Sequence, residues 1–274
     1  MTTWCLLLQG LRSLPLAALH NGQGFILERY SVSLMPSISL TQTRHDDLAA
    51  VQVLAAGAAE FPGQGQTDLP AVPVEVDAIA GQLWPGRSVL NQQFSIENLK
   101  RTQTEPFGLI HLATHADFRS GPPENSYIQL WDRRVPPGAL RELGLADEPT
   151  VELLTLSACR TALGDREAEL GFAGLAVQTG AKSALGSLWS VNDEGTMGLM
   201  TSFYEQLKQA PIKAEALRQA QLAMIRGDVR LEDAALVTPG GRFPLPAALA
   251  KQLEDRGLSH PYYWSAFTMV GSPW

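Results

Sequence analysis

The stretch that most constrains this chain is 151–160, V-E-L-L-T-L-S-A-C-R. Six of its first eight residues are apolar or β-branched, the mark of a strand buried on both faces of a parallel sheet. The run breaks at Ser157-Ala158-Cys159 into the small, polar segment T-A-L-G-D-R. A thiol therefore stands where a buried strand gives way to a loop. In open α/β sheets, sites collect at the carboxyl ends of the strands.

A second run has the same shape. Residues 107–112, F-G-L-I-H-L, lead into Ala113-Thr114-His115 and then a polar loop, 44 residues ahead of Cys159. If the two strands are parallel neighbours, their ends lie about 5 Å apart. An imidazole and a thiol brought together there outline a Cys/His nucleophilic pair. A third run, K-S-A-L-G-S-L-W-S-V at 182–191, ends in Asn192-Asp193-Glu194, which predicts an acidic group at the same edge.

The rest of the chain alternates strand and helix signals. Short strands are expected at 4–8, 25–33, 51–55, 88–90, 127–131 and 262–270. Helices are expected at 74–83, from Ser95 as N-cap, at 138–143, 170–178, 195–209 and 212–226. The segment 238–246, rich in Pro and Gly, reads as surface chain. Such alternation predicts an α/β fold, a sandwich with a mostly parallel central sheet flanked by helices. Its strand at 4–8 starts almost at the first residue. The domain thus opens on a bare strand, or the chain is one piece of a longer ancestral protein.

Composition narrows the function classes. Apolar residues make up 45% and charged residues 18%, enough for an ordinary packed core in one large domain or two small ones. The net charge of −7 and the lack of any Lys/Arg run argue against nucleic acid or an anionic membrane as partner. No apolar run is long enough to span a bilayer, and 1–8 lacks the basic flank of a signal peptide. Two cysteines 154 positions apart make no disulfide framework, which fits a reducing cytoplasm; Cys5, in its apolar setting, reads as a core residue. His111 and His115 are four apart, but along a strand that is about 13 Å, so they read as no metal pair. His260 beside P-Y-Y-W reads as structural, and His20 and His45 as surface residues. The glycines match neither phosphate-loop spacing.

Four ordered motifs then resemble one family. H-L-A-T-H (111–115), L-S-A-C-R-T-A-L-G (156–164), the 180–194 segment through S-L-W-S-V-N-D-E, and H-P-Y-Y-W-S-A-F (260–267) are similar to CHAT domains. These are caspase- and separase-like cysteine peptidases, common in bacteria and often fused to tetratricopeptide repeats. The resemblance runs over nearly the whole chain. It implies a single domain with a caspase-like fold, in which about 1–100 is a supporting part and about 101–274 the catalytic part. It implies a cysteine-type endopeptidase acting on a protein substrate, with His115 as general base and Cys159 as nucleophile. No metal or organic cofactor is implied. Regulation by a partner is, and a tetratricopeptide-repeat or sensor protein is the class of partner it suggests.

The chain departs from its relatives at one position. They usually have His-Gly where this sequence has His115-Ala116, and the backbone N–H groups of Ala116 and Cys159 are the oxyanion donors implied. Alanine keeps the N–H but is less suited to a positive φ. The rival reading is a CHAT-fold interaction or scaffold module without turnover. Two readings of Asp193 also stand: an acidic group in the pocket for a basic substrate side chain, as the likeness of 188–193 to separase implies, or part of a helix cap. The loops 117–125 and 160–169, leaving the strand ends, are expected to be mobile.

Overall fold

Alternation along the apolar runs resolves into one sheet with a separate core on each face. The structure, a computed structural model, describes residues 3–6, 14–35, 47–48, 50–102, 105–119, 125–143, 151–158 and 180–274. The main sheet has eight described strands. They are β1 (Thr3–Leu6), β2 (Ser31–Leu34), β3 (Gln52–Gly57), β4 (Gly86–Leu90), β5 (Phe107–Ala113), β6 (Leu153–Ser157), β7 (Ser183–Ser187) and β8 (Phe267–Gly271). Their order is β1-β2-β8-β7-β6-β5-β3-β4. Every neighbour pair is parallel except β7 with β8. Strands from the first hundred residues and from the remainder thus share the same sheet.

All seven residues of β5 and all five of β6 are buried, as expected for central strands covered on both sides. Odd and even positions go to different cores. Val53, Ala55, Leu109, Leu153 and Leu185 face one of them. Leu54, Ala56, Ile110, Leu112, Leu154 and Leu156 face the other. The first core is roofed by α1 (Val72–Asp77) and two further helices. A fourth, α2 (Ile96–Thr102), lies over the second core through Leu99.

The other two roofing helices are α3 (Asp193–Leu207) and α4 (Lys213–Ile225), which pack against each other. Twelve of the fifteen residues of α3 are buried, because it also touches α1 and an accessory sheet. Phe203, Met200 and Leu199 on it are fully buried. Each such side chain is worth about 1.5–3 kcal/mol of transfer free energy. The α1 helix widens into a π-helical segment, Ala78–Leu83. Trp84 ends it and donates its indole N–H to the Tyr204 carbonyl at 3.0 Å, tying this layer to α3.

Four segments differ from the sequence expectation. Residues 25–33 are not one strand: Ile26–Glu28 is a turn of 3₁₀ helix, closed by the Arg29 N–H on the Ile26 carbonyl, and β2 starts only at Ser31. The 238–246 segment is not free surface chain: Ala235–Thr238 and Gly241–Pro244 form a hairpin. With Arg230–Glu232 and Arg256–Gly257 it makes a four-stranded antiparallel sheet. Glu205 of α3 accepts hydrogen bonds from the Thr238 hydroxyl and the Gly240 N–H, which ties the hairpin tip to the helix. Residues 262–270 are not one strand. Pro261 opens a short helix, Pro261–Trp264, capped by His260 Nδ1 on the Tyr262 N–H at 3.2 Å, and β8 starts at Phe267. Tyr127–Gln129 is a strand, but it pairs with Ala116–Asp117 and Arg134–Val135 in a small antiparallel patch rather than in the main sheet.

Candidate active site

Strands β5 and β6 run parallel in the register Ala113 with Ser157. One residue further, the Thr114 N–H donates to the Ser157 carbonyl at 3.2 Å. The Ser187 hydroxyl at the end of β7 donates to the Ala158 carbonyl at 2.6 Å and fixes the exit of β6. His115 therefore leaves the sheet at the same carboxyl edge as Ser157 and Ala158. Cys159 is the next residue in sequence, and it lies outside the described residues, as do the 160–169 loop, most of 117–125, the 170–178 segment, His45 and the Cys5 side chain.

His115 is held from three sides. Its Nε2 is 2.6 Å from the Thr67 carbonyl oxygen. A carbonyl can only accept, so Nε2 carries a proton, and in the neutral form of the ring the lone pair stands at Nδ1. The Phe61 ring lies 4.8 Å from the imidazole, tilted by 48°. The Gln129 N–H donates to the His115 carbonyl at 2.8 Å, which anchors the backbone. Both Phe61 and Thr67 belong to the segment between β3 and α1. That segment reads from sequence only as a Gly-, Gln- and Pro-rich loop, and its part in the site rests on a backbone oxygen that no residue identity announces.

Close approach of β3 to β5 sets this end of the sheet. A Cβ on Gly57 would stand 2.5 Å from the Ala113 carbonyl oxygen and 2.7 Å from Val72 Cγ1. Only glycine lets the Ala58 N–H reach that same carbonyl, at 3.1 Å. Ala116 lies in the short Ala116–Asp117 strand and is buried. The positive-φ non-glycine residues described are Asn91, Asp233 and Ala234, so alanine after His115 carries no left-handed strain.

Asp193 is the first residue of α3. The cap itself is Asn192, whose Oδ1 accepts the Gly195 N–H at 2.9 Å. This frees the Asp193 carboxylate to reach across to α1, where Oδ2 accepts the Ala71 N–H at 2.8 Å. Burial pushes its carboxyl up from the ordinary 3.8 to about 7. The Ala71 N–H opposes that rise, Glu75 and Glu194 add to it, and His115 counters it in part. Asp193, Glu75 and His115 therefore share one electrostatic neighbourhood.

Behind it stands a buried polar group. His111 Nε2 is 2.8 Å from Glu75 Oε1, and both side chains are essentially inaccessible, at 0% and 1%. Tyr204 packs edge-on to His111 at 5.4 Å and donates its hydroxyl to Thr155 Oγ1 at 3.2 Å. Burial holds the Tyr204 phenol far above its ordinary range. His111 is thus a packed strand histidine, as its sequence setting predicts, but with a carboxyl partner. The signal for Glu75 was present: it falls on the face of Val72, Val76 and Ile79, so a carboxylate is directed into the core. Among the described residues, no group of three His, Cys, Asp or Glu side chains is placed to hold a metal ion.

Comparison with known proteins agrees with this architecture. A family model described as the CHAT domain matches residues 4–272. The solved structure of the Arg-specific cysteine proteinase gingipain R is similar, with TM-score 0.52 and 11% identity over 89% of this chain and 54% of that one. Separase in the Saccharomyces cerevisiae separase–securin complex gives TM-score 0.51 and 13% identity, over 89% of this chain and 14% of that one. A complex of Porphyromonas gingivalis RgpB pro- and mature domains gives 0.50 and 12%, over 89% and 55%. The chain thus spans about half of the gingipain chains and about a seventh of separase. At these identities the likeness is one of fold, which is caspase-like. No match is found among curated proteins.

Proposed function

Because the chain belongs to the CHAT domain family, we propose that it is a cysteine-type endopeptidase whose dyad is His115 and Cys159. The observation that carries this reading is the convergence of two strand ends. The Thr114 N–H meets the Ser157 carbonyl, one residue before His115 and two before Cys159. In this reading Nδ1 of His115 takes the thiol proton while the Thr67 carbonyl keeps the ring oriented through Nε2–H. The thiolate attacks the scissile carbonyl, and the backbone N–H groups of Cys159 and Ala116 receive the oxyanion. The imidazolium then protonates the leaving amine, and water hydrolyses the thioester.

The substrate is a protein. One Asp193 oxygen is engaged by Ala71, which leaves the other for a basic side chain before the scissile bond. Gingipain R, an Arg-specific proteinase of similar fold, supports that choice. The separase neighbour is bound to securin, which supports regulation by a partner protein; a tetratricopeptide-repeat or sensor protein is the class proposed. Among the described residues no helix is long and apolar enough to cross a membrane, and the cysteine usage supports a reducing cytoplasm as the site of action.

A thiol-directed electrophile on an Arg-containing peptide tests the reading. Labelling of the wild type, lost in Cys159→Ala and strongly slowed in His115→Ala, is the expected result. Absence of labelling with and without added partner protein would instead leave a CHAT-fold scaffold module.

A further inference from the structure

Between β3 and α1 the chain crosses the candidate site as a strap, residues 58–71, and Thr67 in it supplies the carbonyl that orients His115. The strap is tied down at several points. The Ala59 N–H donates to Asn91 Oδ1 at 2.8 Å, and the Leu69 N–H to the Ala59 carbonyl at 2.8 Å. Gln64 donates to the Trp131 carbonyl and accepts from Gln129, and Gln66 donates to the Tyr127 hydroxyl at 3.2 Å. Among the described contacts, one tie alone is made by a carboxylate: Asp193 on the Ala71 N–H at 2.8 Å.

Only three residues separate Thr67 from Ala71, and Pro70 is one of them. Proline fixes its own φ and restricts Leu69 before it, so a displacement at Ala71 is passed along a stiff segment to Thr67. We infer that Asp193 is a positioning residue for His115, pinning the 67–71 segment so that the Thr67 carbonyl holds the imidazole with its proton on Nε2. This role rests on His115 being the base of the proposed dyad, and it is separate from any contact Asp193 makes with substrate.

The charges facing Asp193 make the tie sensitive to pH. Glu75 on α1 and Glu194 on α3 disfavour its ionised form, while His115 and the Ala71 N–H favour it. With its carboxyl titrating at about 7, the tie is strongest above neutrality, when the ionised oxygen accepts the N–H, and weakens as pH falls.

Two measurements on the full chain test the inference. The first is the tautomer of His115, read from its ring nitrogens by NMR. The second is the rate of Cys159 alkylation by iodoacetamide from pH 5 to 9. Iodoacetamide carries no side chain for a specificity pocket, so a pocket role alone leaves its rate unmoved. Asp193→Ala is expected to mix the His115 tautomers and slow alkylation at pH 8 by about tenfold. Asp193→Asn keeps an acceptor for the Ala71 N–H and guards against a failure to fold. It is expected to restore most of the rate while removing an inflection near pH 7 from the profile. A wild-type tautomer and an unchanged profile in both variants would overturn the inference. If His115→Ala leaves alkylation unaltered, the dyad fails, yet the tautomer measurement still decides the positioning role.

Discussion

Replacing Glu75 by leucine should destabilise the protein more than replacing Glu75 and His111 together. The two side chains are buried at 1% and 0% exposure, with His111 Nε2 2.8 Å from Glu75 Oε1. Nδ1 of His111 has no hydrogen-bond partner among the described residues. Glu75→Leu would thus leave a wholly buried imidazole with neither nitrogen satisfied. Stranding a buried polar group costs about 1–3 kcal/mol, and more where the pair is ionised, out of a total stability of about 5–15 kcal/mol for a domain. Adding His111→Leu removes the stranded group and restores apolar packing of comparable volume. The double variant should therefore recover most of that loss. Urea unfolding of the four proteins, followed by circular dichroism, gives the coupling energy directly. A Glu75→Leu variant within about 0.5 kcal/mol of the wild type would refute the argument, as would a double variant as unstable as the sum of the two singles.

Asp193→Asn should alter the pH dependence of stability. The folded carboxyl titrates at about 7 against an ordinary 3.8, so the stability Asp193 contributes is full below about pH 4 and lost as pH rises through 7. That gap is worth at most about 4 kcal/mol, and partial exposure brings it nearer 2. Denaturant unfolding should show Asn gaining on Asp from pH 5 to 8, and parallel curves would contradict the sign. Gly57→Ala should cost about 1–3 kcal/mol, because its Cβ would press on the Ala113 carbonyl at 2.5 Å; an unshifted thermal midpoint would count against that contact. Trp84→Phe should lower stability by about 1–2 kcal/mol through the buried Tyr204 carbonyl left without its indole donor, measured as a drop in the urea midpoint.

The central strands were legible in the sequence, because a strand covered on both faces has no polar alternation to hide it. The run at 107–112 and the one opening at Val151 became β5 and β6, and their carboxyl ends marked His115 and the approach to Cys159. The helices α3 and α4 were legible too, within about two residues at either end. Local signals misled where tertiary contact decided the outcome. Glu205 beneath Thr238 and Gly240 holds in a sheet what reads as a loose Pro/Gly segment. Asp193, read in sequence as either cap or pocket, gives up the cap to Asn192 and reaches a different helix.

Sequence alone therefore determined the central strands, their carboxyl edge and which residues stand as candidates there, since strand period and strand end are local properties of the chain. What only the tertiary structure decided is how His115 is held. The Thr67 carbonyl, the Phe61 ring and the Asp193 tie on Ala71 come from segments 48, 54 and 78 positions away from His115 or from parts tied to them. Two of these contacts are made by backbone atoms, which every residue carries alike. A pattern of side chains cannot announce them, and only the packing of α1 and α3 over one face of the sheet brings them to the imidazole.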